Sequence, residues 1–514
     1  MYSLVFTLAS VPLFAGVTNA ILDGIDARDV YEEMEHIFVD NSGTNSDGFI
    51  NAVTPCSNYF QDRSGIEGEQ SSAQWVRLAF HDFITADIAA GTGGLDGSIA
   101  YEGNRAENVG LFINDTLGFM LPTINAYLSM ADNIALGLVA ALSTCSGDST
   151  GIQIRAGRTD AIAAGPSGVP EPTTGLEETL AQFAAAGFTQ EDAIVSTACG
   201  HSLGRIHYTN FPDIVDKSAV TGSNTHGGVG FDGTPADFDS SVVNEYLDGT
   251  GTLGGPLITA PNVDDRSDLR LYNSDSNATM ESISEEATFR SSCFDVFERM
   301  INTVPAGSSL TEPITPMAWK AIELATDINS QGVVSIGGRI RNLYNTGSSP
   351  STVSYTVSSD AGDLTATSAT SSGTGTSLFG KTTYYNFNTS IESPGTTSLA
   401  FGDVTYPIND NIFVLPVKST TSGRNSGSIK AAVLTSLISS DGLKVVLYVP
   451  GSVSGTRARR ITTQTVAMTQ YSTAGEYTLY QASVSGNIGS GSGTIVKVVM
   501  GDLSSPTVKV DIFG

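Results

Sequence analysis

The chain is poor in basic residues. Its 514 residues hold 25 Lys and Arg against 53 Asp and Glu, a formal net charge of −28 at pH 7. Phosphate recognition needs clustered Lys and Arg, so nucleic acid is excluded as a partner and anionic membrane surfaces are disfavoured. Charged residues of both signs reach only 15% while hydrophobic ones reach 40%, which is enough apolar material for real cores and excludes wholesale disorder. Cysteine is scarce. Cys56, Cys145, Cys199 and Cys293 show no CxxC or Cys/His metal spacing, so two structural bridges are expected rather than a zinc site, and three pairings stay open. Beyond the N-terminus no stretch is long and apolar enough to span a bilayer.

What is present is unevenly spread. From residue 351 onward there are ten basic and nine acidic residues, which leaves 15 basic and 44 acidic ones before that point. Two parts with different surface chemistry are therefore joined, as the length already suggests. Residues 1–15 are apolar and are followed by small residues up to Ala20. This pattern predicts a signal peptide over 1–20 and a secreted, extracellular protein in which disulfides are stable. Three sequons, at Asn114, Asn277 and Asn388, are compatible with N-glycosylation.

Up to about residue 300 the patterning is helical. Apolar periodicity predicts helices over 124–142, over 174–186 with Thr174 as cap, and over 190–199. Loops rich in Gly and Asp, 91–98 and 221–239, carry many oxygen ligands. From residue 313 the texture changes to short alternating runs (352–357, 382–387, 412–417, 444–449, 461–468, 477–484, 494–500 and 508–513) punctuated by Gly, Ser, Thr and Asn. This predicts an all-β, sandwich-like domain. The Ser/Thr/Gly-rich stretch 347–378 reads either as part of it or as a flexible linker.

Two of the five histidines stand in informative surroundings. In Trp75-Val-Arg77-Leu-Ala-Phe80-His81-Asp82, Arg77 and His81 are four apart and share one helix face. A base beside a fixed cation suits heterolysis of an O–O bond. The base moves a proton between the oxygens, and the guanidinium stabilises charge on the leaving one. In Cys199-Gly200-His201-Ser202, a histidine among small residues can approach a flat macrocycle and ligate its iron.

Taken together and in order, these motifs resemble the plant-type haem peroxidase superfamily, most closely its secreted fungal branch, over roughly residues 55–300. The resemblance rests on Arg77-x-x-Phe80-His81-Asp82, Gly94-x-Asp96-x-Ser98, Glu102 and Asn108, Ala131-Asp132, Gly157-Arg158-Thr-Asp160, Val169-Pro170-Glu171-Pro172, His201-Ser202 and Phe231-Asp232-Gly-Thr234-Pro-Ala-Asp237-Phe-Asp239. It implies a mainly α haem domain over 21–312, followed here by the β domain over 313–514. It also implies haem b and two Ca²⁺ as cofactors. By resemblance, Arg77, His81 and Asn108 are catalytic, with Asn108 accepting the Nδ1 proton of His81. His201 is the iron ligand, and Asp275 accepts its other ring proton, with Asp268 as competitor. Pro170 offers a carbonyl near the distal pocket, and Phe80 and Phe231 pack beside the haem. Asp82, Gly94, Asp96 and Ser98 would hold a distal calcium; Ser202, Asp232, Thr234, Asp237 and Asp239 a proximal one. Asp132 and Arg158 would form a buried ion pair. Cys56–Cys145 matches a family bridge. Cys293 sits at a family position whose usual partner is missing, which leaves Cys199.

Departures from the pattern narrow the expected donor. Phe80 replaces the Trp of cytochrome c and ascorbate types. Ser196 stands where high-potential enzymes carry a Trp. Gln70, Gln74 and His207 stand where manganese-oxidising relatives carry carboxylates, and amides bind Mn²⁺ poorly. The expectation is a monomeric secreted peroxidase that takes hydrogen peroxide and small phenolic or aromatic donors. The rival reading is a non-catalytic secreted module that binds calcium or cell wall. For the β domain, attachment to cell-wall polysaccharide through Tyr384, Tyr385, Tyr477 and Tyr480 stands against plain packing.

Overall fold

The 130–146 segment is apolar on every side and, in the computed structural model, it is buried along almost its whole length. A helix without a polar face belongs at the centre of a bundle. The structure describes residues 22, 24–61, 68–147, 151–367, 371–489 and 491–514, so the expected signal peptide lies outside the described residues. Among them, the helices are α1 (Ala27–Val39), α2 (Ser71–Phe83), α3 (Phe112–Met120), α4 (Met130–Ser146), α5 (Leu176–Ala185), α6 (Gln190–His201), α7 (Ser241–Asp248), α8 (Pro256–Thr259), α9 (Ser267–Tyr272), α10 (Ala278–Ser282) and α11 (Glu286–Asn302).

Helix starts follow local chemistry. Before α4, the Asn125 carboxamide accepts from the backbone of Tyr127 and Leu128. Ser129 then caps the helix by accepting from Asp132 N at 2.9 Å. The helix therefore begins at residue 130 rather than 124. Ahead of α5, Thr174 does not cap as expected: its hydroxyl accepts from Glu171 N, and Gly175 takes the cap position. α6 opens on a capping box of Thr189 and Asp192 and runs through His201. No described helix is long and apolar enough to cross a membrane.

Among the described residues, the strands from residue 319 onward form four antiparallel sheets. The first orders Ser42–Gly43, Ser371–Ser377, Gly380–Ser390, Val334–Tyr344 and Trp319–Ile328, and so includes a short strand from the helical half. The second orders Val404–Pro407, Thr396–Phe401, Ser354–Ser359 and Gly362–Thr367. The third is built on Ser426–Leu434 and Tyr477–Ser485, the fourth on Lys444–Ser452 and Ile495–Met500. The 347–378 stretch thus contributes strands to sheets.

The sheets enclose two cores. Alternate residues of a strand point to opposite faces. In Ser426–Leu434, Ala432 and Leu434 enter the core of the first two sheets, while Ala431 and Val433 enter that of the fourth. The same alternation docks the β half on the helices. Leu447 and Val496 fill the inner face of the fourth sheet, and their neighbours Tyr448 and Ile495 join the helical core. Tyr384, Tyr385 and Tyr477 are fully buried, and Tyr480 packs half-buried against the second β core. The buried three cannot offer a ring to a sugar, which corrects the stacking idea for them.

A second contact joins the halves along α1. Arg341, wholly buried, donates to Glu35 and to Asp40 Oδ1 (3.1 Å). Lys320 Nζ lies 2.8 Å from Glu35 Oε2, and the Tyr384 hydroxyl donates to Asp40 at 2.9 Å. Lys509 Nζ meets Glu33 Oε1 at 2.7 Å. Burial pushes the Glu33 carboxyl up, but Lys509 and His36 outweigh it and bring its pKa down to about 2. Glu33, Glu35 and the capping Asp40 of α1 are therefore paired by bases of the β half.

Candidate active site

α2 and α6 each carry a histidine in the last turn, and both rings line one cavity of about 560 Å³. On the α2 side, His81 Nδ1 donates to Asn108 Oδ1 at 2.7 Å. Asn108 in turn donates to the Glu102 carbonyl at 3.2 Å. This fixes the tautomer and makes Nε2 the accepting nitrogen. Arg77 Nε donates to that Nε2 at 3.2 Å, and Nη1 donates to the Val109 carbonyl. The guanidinium lies over the Phe112 ring at 4.1 Å. Burial and the neighbouring Arg77 charge bring His81 down to about 3, against the opposing pull of Asn108. Burial also lowers Arg77 to about 10. A base that stays neutral beside a retained cation can move a proton without being charged first.

On the α6 side, His201 Nδ1 donates to Asp268 Oδ2 at 2.6 Å. The expectation of Asp275 is corrected. Asp275 accepts from Thr279 N and Oγ1, at 2.9 and 2.5 Å, at the start of α10. Asp268, in the first turn of α9, faces the ring instead. Phe231 stacks on His201 with centroids 4.2 Å apart and planes 9° apart. Cys199–Cys293 ties α6 to α11 two residues from the imidazole, and Cys56–Cys145 anchors the end of α4. With Nδ1 engaged, Nε2 of His201 is the nitrogen left for the cavity. An imidazole with a carboxylate behind it, facing an opposed base and cation across an apolar-walled cavity, fits haem. Phe80 and Pro170 line the same cavity.

The two loops expected to hold calcium fall beside these histidines. The Asp82 carboxylate accepts from the backbone of Asp96, Gly97 and Ile99, with Ser98 Oγ at 3.4 Å. Asp96 accepts from Ser98 N, and Gly94 packs its Cα face against the Thr303 carbonyl at φ +94°. At the other loop, Thr234 N donates to Asp232 Oδ1 at 2.9 Å and Thr234 Oγ1 to Asp239 at 3.2 Å. Ser202 is fully buried there, and Asp237 N bonds back to the Thr234 carbonyl. Asp232 Oδ2 is buried without a partner, and burial pushes its pKa up to about 7. An orphaned buried carboxylate oxygen fits a cation. Among the described residues no three His, Cys, Asp or Glu side chains gather as a metal group; these loops would rely on hydroxyls and carbonyls as well.

Asp132 and Arg158 form the expected buried pair at 3.0 Å, with Arg158 also holding the Ile301 carbonyl. At the cavity edge, Gln70 donates to Ser72, Gln74 bridges Glu69 and Asp115, and His207 contacts the Gly68 carbonyl. Glu69 and His226, paired at 2.9 Å beside His207, were not singled out by sequence. Neither was Phe112, whose ring packs on both Arg77 and His81. No motif marks these three.

The family model described as peroxidase matches residues 59–287. Among similar proteins, L-ascorbate peroxidase 2 (cytosolic) of Arabidopsis thaliana is 30% identical over 36% of this chain and 68% of its own length. The chain belongs to the plant-type haem peroxidase superfamily. A WSC domain-containing protein of Arthroderma benhamiae is 34% identical over 88% of this chain and 62% of its own. Manganese peroxidase 3 of Phlebia radiata is 32% identical over 33% and 46%. The chain thus spans less than two thirds of the length of these last two relatives. The Arthroderma match reaches through most of the β half, whereas the peroxidase matches are confined to a third of the chain.

Proposed function

We propose that the protein is a haem peroxidase that reduces hydrogen peroxide and oxidises small phenolic or aromatic donors in one-electron steps. One observation carries this reading: His81 with Arg77 and His201 with Asp268 line the same cavity, each imidazole locked through Nδ1 so that Nε2 faces inward. His201 and Phe231 would hold the haem. Bound there, haem supplies the iron site for peroxide and stores the oxidising equivalents. The protein's own part is proton handling. His81 Nε2 takes the proton from one peroxide oxygen and delivers it to the other, and Arg77 stabilises negative charge as the second oxygen leaves. Two donors, each losing one electron, restore the resting state.

The amides at Gln70 and Gln74 support a donor other than Mn²⁺. Ser202, Asp232, Thr234, Asp237 and Asp239 on one side, and Asp82, Gly94, Asp96 and Ser98 on the other, would each take a Ca²⁺ and brace the two histidines. The N-terminal apolar run and the two disulfides support secretion. Titrating the purified chain with haem tests the reading: a Soret band and peroxide-dependent oxidation of a phenol are expected, and the absence of both would refute it. The same titration separates this reading from that of a non-catalytic module.

A further inference from the structure

We propose that Phe112 is a positioning residue of the peroxide site: the face of its ring holds the Arg77 guanidinium where a counter-ion would ordinarily stand, so that the cation stays fixed beside His81 without being neutralised. The inference rests on the peroxidase reading and deepens it. Arg77 is half-buried in the cavity wall, and desolvation disfavours its charged form. A cation so placed ordinarily takes a carboxylate partner. Among the described residues none lies within contact distance, and Glu69 acts on it only from farther off. Two of its bonds go to uncharged acceptors: Nε to His81 Nε2 at 3.2 Å and Nη1 to the Val109 carbonyl at 3.1 Å. The other support is the buried Phe112 ring, whose centroid lies 4.1 Å from the guanidinium carbon. The negative face of an aromatic ring attracts a cation, most strongly where water is excluded.

A ring does here what a carboxylate could not. A carboxylate would cancel the charge that stabilises the leaving oxygen, whereas a quadrupole holds the guanidinium and leaves its net charge for the cavity. The same ring meets the His81 imidazole, with centroids 4.9 Å apart and planes 60° apart, so one side chain sets the spacing of cation and base. The local chain explains the placement. Segment 108–112 supplies Asn108 to His81 Nδ1, the Val109 carbonyl to Arg77, and Phe112 to both. Phe112 opens α3. Gly110 lets the chain turn just before it: its φ is +109°, and a Cβ there would stand 3.1 Å from Asn210 Nδ2 and 3.5 Å from Arg77 Nη1. Five consecutive residues thus position both reagents from outside the helix that carries them.

The test titrates the haem-loaded full chain with inorganic fluoride, an anion that takes the place of peroxide at the iron and is held by the guanidinium as the leaving oxygen would be. Fluoride affinity is read from the absorbance spectrum, and the reaction with hydrogen peroxide is followed in parallel by stopped flow. Phe112→Leu keeps the apolar bulk and removes the ring face. Fluoride should bind about tenfold more weakly to it, and the peroxide reaction should slow by a similar factor. A second series places one, two or three fluorine atoms on the Phe112 ring by incorporation at that single codon, which drains the ring face of electron density with little change of shape. Fluoride affinity should fall step by step along this series while the Soret band holds. The series decides the matter by itself if Phe112→Leu takes up no haem. An affinity that stays level or rises along the series, even if it falls in Phe112→Leu, overturns the positioning role and leaves Phe112 as plain packing. A wild type that takes up no haem, or takes it up and leaves peroxide untouched, overturns the peroxidase reading and this proposal with it.

Discussion

The cavity and the α1 seam both remove polar groups from water, but they treat them in opposite ways. In the seam, Glu35 and Asp40 face Arg341 and Lys320, and Glu33 faces Lys509, so each of these buried carboxylates meets a base. In the cavity, His81 is held far below its usual pKa by burial and Arg77, and no carboxylate neutralises that guanidinium within contact distance among the described residues. Complete pairing makes a joint; deliberate under-compensation makes a reagent. Changes in the seam should therefore move stability, and changes in the cavity should move chemistry.

The largest stability effect should come from Arg341→Met. It leaves Glu35 with Lys320 alone and Asp40 with His36 and the Tyr384 hydroxyl, and breaking such a buried pair typically costs about 3–5 kcal/mol. Denaturant unfolding should show this loss while the Soret position of haem-loaded protein holds. Asp268→Asn should act the other way, lowering haem affinity or activity about 10–100-fold, with a shifted Soret spectrum and little change in unfolding. Asp275→Ala sharpens the assignment: it should cost about 1 kcal/mol of stability through the lost bonds to Thr279 and leave the spectrum alone.

The seam also titrates. The Glu33 carboxyl is lowered from its ordinary 4.5 to about 2, so the unfolded chain binds its proton first. Its contribution is fully present above about pH 4.5 and is lost as pH falls toward 2. The neighbouring groups are Lys509, His36 and Asn125. Asp29 runs against it: burial raises it to about 7 despite a hydrogen bond from Thr507, so its ionisation opposes folding between about pH 4 and 7. Wild-type stability measured against pH should rise from 2 to 4.5, and Asp29→Asn should remove a decline of comparable size toward neutrality.

The same contrast explains what was legible in the sequence. Reagents sit in fixed motifs, so Arg77, His81, Asn108 and His201 could be read from the family's spacing; Cys56–Cys145 followed from family positions, and Cys199–Cys293 from Cys199 being the one cysteine left for Cys293. Asp268 could not be separated from Asp275, because two aspartates seven residues apart differ only in which turn they occupy. The strands Trp319–Ile328 and Val334–Tyr344 were missed because Lys320 and Arg341 interrupt their apolar pattern. Those charges face α1 rather than water. The acids of α1 in turn read as part of an acidic surface, since pairing across about 300 residues leaves no local signal. The two β cores were hidden for a related reason: a sheet buried on both faces shows no polar alternation.

The most direct test of the account is stopped-flow mixing of hydrogen peroxide with haem-loaded wild type and His81→Leu. The account predicts that the variant binds haem with an intact Soret band but reacts with peroxide about 10²–10⁴-fold more slowly, as expected for loss of a general base. Equal rates in the two proteins would contradict it.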